Sequence, residues 1–501
     1  MTSKKEIISL DGNSLTPELL CRVGYDSTVR KLTKSSWERV KAGRKVVDDK
    51  VDKKEVTYGI NTGFGLFSNI SIPEHDLKQL QLNLIRSHAC GQGAYLTVPL
   101  TRMLLALRIN TLAKGHSGVS CETLQQLVDA LNLNCISCVP TQGTVGASGD
   151  LAPLAHLVLG LLGEGEMWDT EKTFPTPAQA SVVLKKHNLK ILDLKAKEGL
   201  ALINGTQFIT GLGCEALVRA EKLARQADVI AAMSLEALRG TVRAFDDKIH
   251  LTRPHNGQIL SATRIRHLLH TKANPSEISL SHANCGSVQD AYTLRCVPQV
   301  HGIVLDTLAF VRKILTTEIN SATDNPMIFC KSWYEQLEKD DIISGGNFHG
   351  EYPAKVLDFL AIAVHELGNI SERRIERLNN PDLSHLPAFL VKNGGLNSDT
   401  FFCYNIFGKG FMLAHCTAAS LVSENKVLCH PSSIDSLSTS GAKEDHVSMG
   451  GFAARKALEV VGNVEKILGI ELLCACQGID LLSPLKSTRS LQQVHEIVRK
   501  V

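Results

Sequence analysis

The sequence predicts a mainly α protein built as a bundle of long helices. Three observations predict it: apolar residues recurring every three or four positions over long runs, alanine-rich apolar faces on those runs, and few β-type runs between them. The first helix reads from Leu217 through Ala220, Ala224, Ala227, Ala231 and Leu235 to Leu238, and Gly240 stops it. The second starts at Pro353, a favoured first helical residue, and runs through Val356, Leu360, Ala363, Leu367 and Ile370 toward Leu378. The third carries Leu458, Val461, Val464, Leu468 and Leu472 and is expected to end near Gly478.

Glycine clusters punctuate these segments at 59–65, 143–149, 345–346 and 394–395, and each reads as a short ordered turn. No internal repeat or low-complexity tract is visible. The one boundary the sequence suggests lies near Gly115 to Gly118, dividing a smaller N-terminal domain, 1–115, from a helical domain, 116–501.

Composition narrows the function. Of 501 residues, 44% are apolar and 21% charged, with 38 Gly and 16 Pro, which is an ordinary globular balance. A net charge of +3 is too small for the broad positive field of a nucleic-acid or anionic-membrane binder, so the expected partner is a small molecule. The 14 Cys are scattered singly rather than in a dense framework, which reads as reduced thiols in the cytoplasm. Cys135 and Cys138 form a Cys-x-x-Cys without a second pair at zinc-ribbon spacing, so no metal site is read. The segment 1–12 lacks the apolar region of a signal peptide, and the apolar stretch around 151–162 is too short to span a bilayer.

The most informative stretch is 143–156, GTVGASGDLAPLAH, where three glycines surround Ala147-Ser148-Gly149 before an apolar helix-like run. It lacks the Gly-Lys-Ser/Thr ending of a P-loop and the spacing of a dinucleotide fingerprint, and Ser148 followed directly by Gly149 is no nucleophile elbow. The plain reading is a turn with Ser148 or Asp150 as helix cap; a lone Ala-Ser-Gly arises by chance in roughly one chain of this size in five.

Taken whole, the stretch resembles the signature of the aromatic amino acid ammonia-lyases, in which Ala-Ser-Gly cyclises and dehydrates to a methylidene imidazolone. The three residues suit that chemistry: Gly149 has an unhindered amide nitrogen to attack the Ala147 carbonyl, and Ser148 has a β-hydroxyl to lose. Further stretches resemble family motifs in family order: Tyr58 to Gly65, Arg86-Ser-His88, Asn204-Gly-Thr-Gln207, Val288 to Gln299, Asn325-Pro326, Gly346-Asn-Phe-His349 and Glu444 to Met449. The resemblance covers about the whole chain and is strongest, through Ser87-His88 and Glu444-Asp445-His446, to the histidine-specific members.

That resemblance implies a long-helix bundle of the ammonia-lyase type. It implies non-oxidative deamination of L-histidine to trans-urocanate and ammonia, with a 4-methylidene-imidazol-5-one formed from Ala147, Ser148 and Gly149 and no external cofactor. It implies a homotetramer with shared active sites. Tyr58 matches the family tyrosine proposed to remove the β-proton, a task for which its phenol is expected to be made more acidic. Tyr292 matches a second catalytic tyrosine. Arg295 matches the holder of the substrate carboxylate, a task suited to the guanidinium fork. Asn204 and Gln289 match amides bonded to the prosthetic group and substrate. His88 and Glu444 carry specificity, since an imidazole has N–H donors that a phenyl ring lacks, and Phe348 would pack beside the ring. A tyrosine or phenylalanine lyase, an aminomutase of the same fold, and a non-catalytic helical assembly module are the alternatives.

One feature departs from the family pattern: Asp399 to Lys409, DTFFCYNIFGK, intervenes between Ser398 and Gly410, and four of its eleven residues are aromatic. Exposed aromatics invite association, so the segment reads as a buried insertion or a faulty exon boundary.

Overall fold

The computed structural model describes residues 7–26, 29–269, 275–286, 288–334, 336–392 and 410–500. The 399–409 segment lies outside the described residues. The chain is mainly helical, and its strands form two-stranded pairs: Ile7–Ser9 with Val29–Lys31 in parallel, and Gln92–Tyr95 with Pro140–Gln142, Glu166–Asp169 with Thr176–Gln179, and Met327–Phe329 with Asp341–Ile343 antiparallel.

Two compact units result. The first comprises Met1–Val218, Arg312–Asp358 and Pro431–Arg455; the second comprises Arg219–Val311, Phe359–His430 and Lys456–Val501. No cut falls at 115/116. Helices Val98–Leu112 and Cys121–Asn132, on either side of that position, pack on each other within the first unit. Ser120 between them caps the second helix by accepting the Thr123 N–H at 3.2 Å, and its own N–H is held by Glu198 at 2.8 Å.

In the first unit, helix Val98–Leu112 is buried from Thr101 to Leu112 on every face: Met103, Leu104, Leu105, Leu107 and Ile109 pack as core, and the polar Arg102, Arg108 and Asn110 are buried on hydrogen bonds to backbone carbonyls. Each such side chain contributes roughly 1.5–3 kcal/mol by leaving water. Around it lie helix Pro17–Tyr25, capped by Thr16 with Pro17 at its first position, and helix Cys121–Asn132. Helix Leu151–Leu161 packs on Leu77–His88 and Glu198–Ile203, which brings the C-terminus of one, the N-terminus of another and the loop after the third to one place.

The second unit holds the apolar cluster of the long helices, including Ala231, Leu235, Ile370, Leu378, Ile467 and Ala475. The three sequence-read helices are present as Gln207–Ala237, Glu351–Asn379 and Gly450–Leu481. The first begins ten residues before Leu217. The third passes through Gly478 to Leu481, so Gly478 is an interior contact and not a stop: a Cβ there would sit 2.9 Å from the Ala237 Cβ, and its absence lets the two helices touch. Arg374 and Glu471, both wholly buried, pair at 2.5 and 2.9 Å across this core.

Candidate active site

The loop at 143–150 is held on two sides. Downstream of strand Pro140–Gln142, Gly143, Gly146 and Gly149 take positive φ, and the Thr144 hydroxyl accepts the Gly146 N–H and donates to the Gly149 carbonyl. On one flank, Gly149 pairs with Gly205, and the Asp150 N–H donates to the Gly205 carbonyl at 2.7 Å. A Cβ on Gly149 would lie 2.2 Å from that oxygen, so only glycine closes this turn. On the other flank, the Met449 N–H donates to the Val145 carbonyl at 2.9 Å and the Ser448 hydroxyl to the Gly146 carbonyl at 3.1 Å. The segment that carries Glu444 is thereby fastened to the segment that carries Ser148.

The consequence is a direct contact: the Ser148 hydroxyl donates to Glu444 Oε1 at 2.8 Å. The other oxygen, Oε2, accepts the Thr439 hydroxyl at 2.8 Å. Both groups line a cavity of about 880 Å³ together with Tyr58, His88, Asn204 and Phe348. His88 ends helix Leu77–His88, and its Nδ1 donates to the Leu84 carbonyl at 2.8 Å, which leaves Nε2 as the acceptor. His349 Nε2 donates to the His446 carbonyl at 3.1 Å, with the two imidazoles stacked at the cavity wall.

Tyr58 departs from expectation. Its phenol is held above the usual tyrosine value, not below it, chiefly because it is half-buried. The Glu444 charge pushes in the same direction, and a hydrogen bond with the Gly65 backbone offsets them only in part. Capping also differs from expectation. Asp150 stands at the start of helix Leu151–Leu161 without capping it; its carboxylate instead accepts the Ile209 N–H at 3.0 Å, at the start of helix Gln207–Ala237. The Asp150 carboxyl is wholly buried and pushed up to about 7.

Asn204 is buried against the cavity, and its backbone carbonyl accepts Arg108 Nη1 at 2.6 Å. Its side-chain Oδ1 has no hydrogen-bond partner among the described residues. A buried acceptor left open beside the cramped 147–149 turn fits a loop whose polar atoms are rearranged by cyclisation. Ala147, itself buried, lines the same cavity.

Gln289, Tyr292 and Arg295 belong to the second unit and are not among the residues that line this cavity. Tyr292 is 70% exposed, with the Arg295 guanidinium 4.6 Å from its ring centroid, and Arg295 Nε donates to the Asp290 carbonyl at 3.0 Å. Cys135 and Cys138 are buried thiols pushed up to about 11 and about 12 by that burial, which fits packing and not reactivity. Sequence reading missed Arg108 and Thr439. Nothing local marked either: Arg108 sits in an apolar helix, and Thr439 in a run of Ser and Thr.

Residues 15–500 match the family described as aromatic amino acid lyase. The histidine ammonia-lyase of Mus musculus is 59% identical over 497 residues, covering 99% of this chain and 72% of that protein. The histidine ammonia-lyase of Caldanaerobacter subterraneus is 45% identical, covering 98% and 92%. Among solved structures, histidine ammonia-lyase from Trypanosoma cruzi superposes with a TM-score of 0.88 at 54% identity, covering 99% of this chain and 89% of that one. Tyrosine aminomutase from Streptomyces globisporus reaches 0.89 at 35% identity, covering 99% and 92%. With a match over nearly its whole length, the chain belongs to the aromatic amino acid lyase family.

Proposed function

We propose that the chain is an ammonia-lyase that converts L-histidine to trans-urocanate and ammonia, the first step of histidine degradation. The observation that carries this reading is the Ser148–Glu444 contact inside a cavity that also holds His88 and Phe348. The Glu444 carboxylate suits the N–H of an imidazole and would be left unpaired against a phenyl ring. The relatives named histidine ammonia-lyase support it.

The residues at 147–149 fit the methylidene imidazolone of the family, which when formed supplies an electrophilic carbon that activates the amino acid for loss of ammonia. Ala147, Ser148 and Gly149 would become the group, and Asn204 Oδ1 is the open acceptor beside it. The chain's own groups do the rest. Glu444 accepts the imidazole N–H, His88 stands beside it as a polar specificity residue, and Phe348 covers the ring. Tyr58 takes the β-proton at its phenolic oxygen. Tyr58 is held above the usual tyrosine value, so its role as base requires a neighbouring group that favours the phenolate.

Arg295 holds the substrate carboxylate, Gln289 bonds the substrate and Tyr292 completes the proton machinery. We propose a homotetramer whose copies share active sites, as the family resemblance implies. The 70% exposure of Tyr292 and the exposed Val288 and Ile303 on the same part of the chain support it. We place the enzyme in the cytoplasm, with L-histidine as its partner and neither nucleic acid, membrane nor metal.

The test is intact mass together with product analysis. The purified chain is expected to be lighter than its encoded mass by two waters and to release urocanate from L-histidine, with L-tyrosine and L-phenylalanine turned over at least 100-fold less efficiently. An unmodified mass in a chain that still turns over histidine would overturn the prosthetic-group reading, and cinnamate or coumarate as the main product would overturn the substrate.

A further inference from the structure

Thr439 and Glu444 close a short loop on themselves. The Thr439 N–H donates to the Glu444 carbonyl at 2.9 Å, and the Glu444 N–H returns a bond to the Thr439 carbonyl at 3.3 Å. Between them, Ser440, Gly441 and Ala442 take φ values of 53°, 61° and 64°. Ser440 and Ala442 carry a Cβ into the left-handed region, which L side chains rarely adopt, so the surroundings must enforce the turn. Its position supplies the reason. The turn packs against Gly65–Phe67, and the Gly65 backbone is the one hydrogen-bonded to Tyr58.

Within this frame, the Thr439 hydroxyl donates to Glu444 Oε2 at 2.8 Å, while Oε1 is turned to Ser148. A carboxylate is free to rotate about its last bond unless one oxygen is held. Here one oxygen is tied to the chain and the other is presented to the cavity. When Ser148 loses its hydroxyl during maturation, Oε1 loses its donor and becomes free for a ligand, whereas Oε2 keeps Thr439.

We infer that Thr439 is a positioning residue for substrate recognition: its hydroxyl fixes the Glu444 carboxylate so that Oε1 alone meets the imidazole N–H. The inference rests on the reading of Glu444 as the acceptor for the substrate ring. Ser or Thr fulfils the role and Val does not, since Val keeps the shape and removes the donor.

The experiment compares Thr439→Val, Thr439→Ser, Glu444→Gln and the double variant Thr439→Val/Glu444→Gln on L-histidine, each with its intact mass. Thr439→Val is expected to keep the two-water loss, to lower kcat/KM at least 10-fold chiefly through KM, and to be rescued to within 3-fold of wild type by Ser. In the Glu444→Gln background the Val change is expected to add less than 2-fold, because its effect passes through the carboxylate. Four results would overturn the inference: Val within 3-fold of wild type, Ser as poor as Val, losses that multiply in the double variant, or a Val variant that has lost the mass deficit. If Thr439→Val is insoluble, Thr439→Ala replaces it under the same criteria. A wild-type chain that releases no urocanate would instead remove the functional reading itself, whatever the variants do.

Discussion

Gly149 and Gly205 lie backbone to backbone, and Gly205 has no room for a side chain on its far side either. At its φ of +148°, a Cβ would stand 2.5 Å from Gln207 Oε1, 2.6 Å from the Thr323 carbonyl and 2.7 Å from Arg108 Nη1. Gly205→Ala therefore forces the Asn204-Gly205 strip toward the 147–149 turn without altering any residue that cyclises. The expected outcome is a loss of about 2–4 kcal/mol in unfolding free energy together with a missing or partial two-water mass deficit. A variant with full mass loss and wild-type melting would show that the contact does not shape the turn.

Ser148→Ala asks the opposite question, of chemistry without strain. The hydroxyl makes one bond, to Glu444, at a half-buried position, so its removal costs under about 2 kcal/mol of stability. Turnover of L-histidine is expected to fall by at least 1,000-fold and the mass to match the encoded chain. Retained turnover at an unmodified mass would sink the role given to this serine.

The legible and illegible parts of the site follow from what each kind of contact leaves in the sequence. The long helices were readable because burial on one face repeats every three to four residues, as at Leu235 and Leu238 or Leu360 and Ala363. The start at Gln207 was not, since 207–216 is buried on nearly every face and so has no polar stripe to give a period. The end expected near Gly478 falls at Leu481, and the contact that Gly478 makes with Ala237 is invisible in the sequence because the neighbour is remote. The plain reading of 143–150 as a turn with Ser148 or Asp150 as helix cap misses that the Asp150 carboxylate accepts from Ile209, 59 positions away. The acidity expected of Tyr58 is opposed first by the partial burial of its phenol, which only the packing of distant segments creates, and to a smaller extent by the Glu444 charge.

Charge burial away from the cavity separates structural from surface ion pairs. Glu471 receives Arg374 through two bonds and the Ser234 hydroxyl at 2.6 Å, all three side chains being wholly buried. Glu471→Ala strands a buried guanidinium and is expected to cost about 3–5 kcal/mol. Arg86 and Glu164 also pair at 2.6 Å, but both side chains are substantially exposed, so Arg86→Ala should cost less than about 1 kcal/mol. Chemical denaturation of the two variants side by side checks the contrast; similar losses would mean that burial does not set the energy of these pairs.

Asp150 makes stability depend on pH in an unusual direction. Burial holds its carboxyl at about 7 against 3.8 in an unfolded chain, with the Ile209 and Phe208 N–H groups and Thr144 opposing and the nearby Glu318 reinforcing the shift. The folded protein therefore binds this proton more tightly than the unfolded chain does. The stability it contributes is fully present below about 3.8 and is lost as pH rises through about 7, on the order of 4 kcal/mol across the whole window. Asp150→Asn cannot ionise and still offers an oxygen to Ile209, so it lacks this dependence. Between pH 5 and pH 7 the unfolding free energy of the Asn variant is expected to gain on wild type by about 2–3 kcal/mol, measured by denaturant titration at each pH. Parallel curves for the two proteins would mean that the carboxyl ionises no less readily in the fold than outside it, and that the helix N-terminus at Ile209 outweighs the burial.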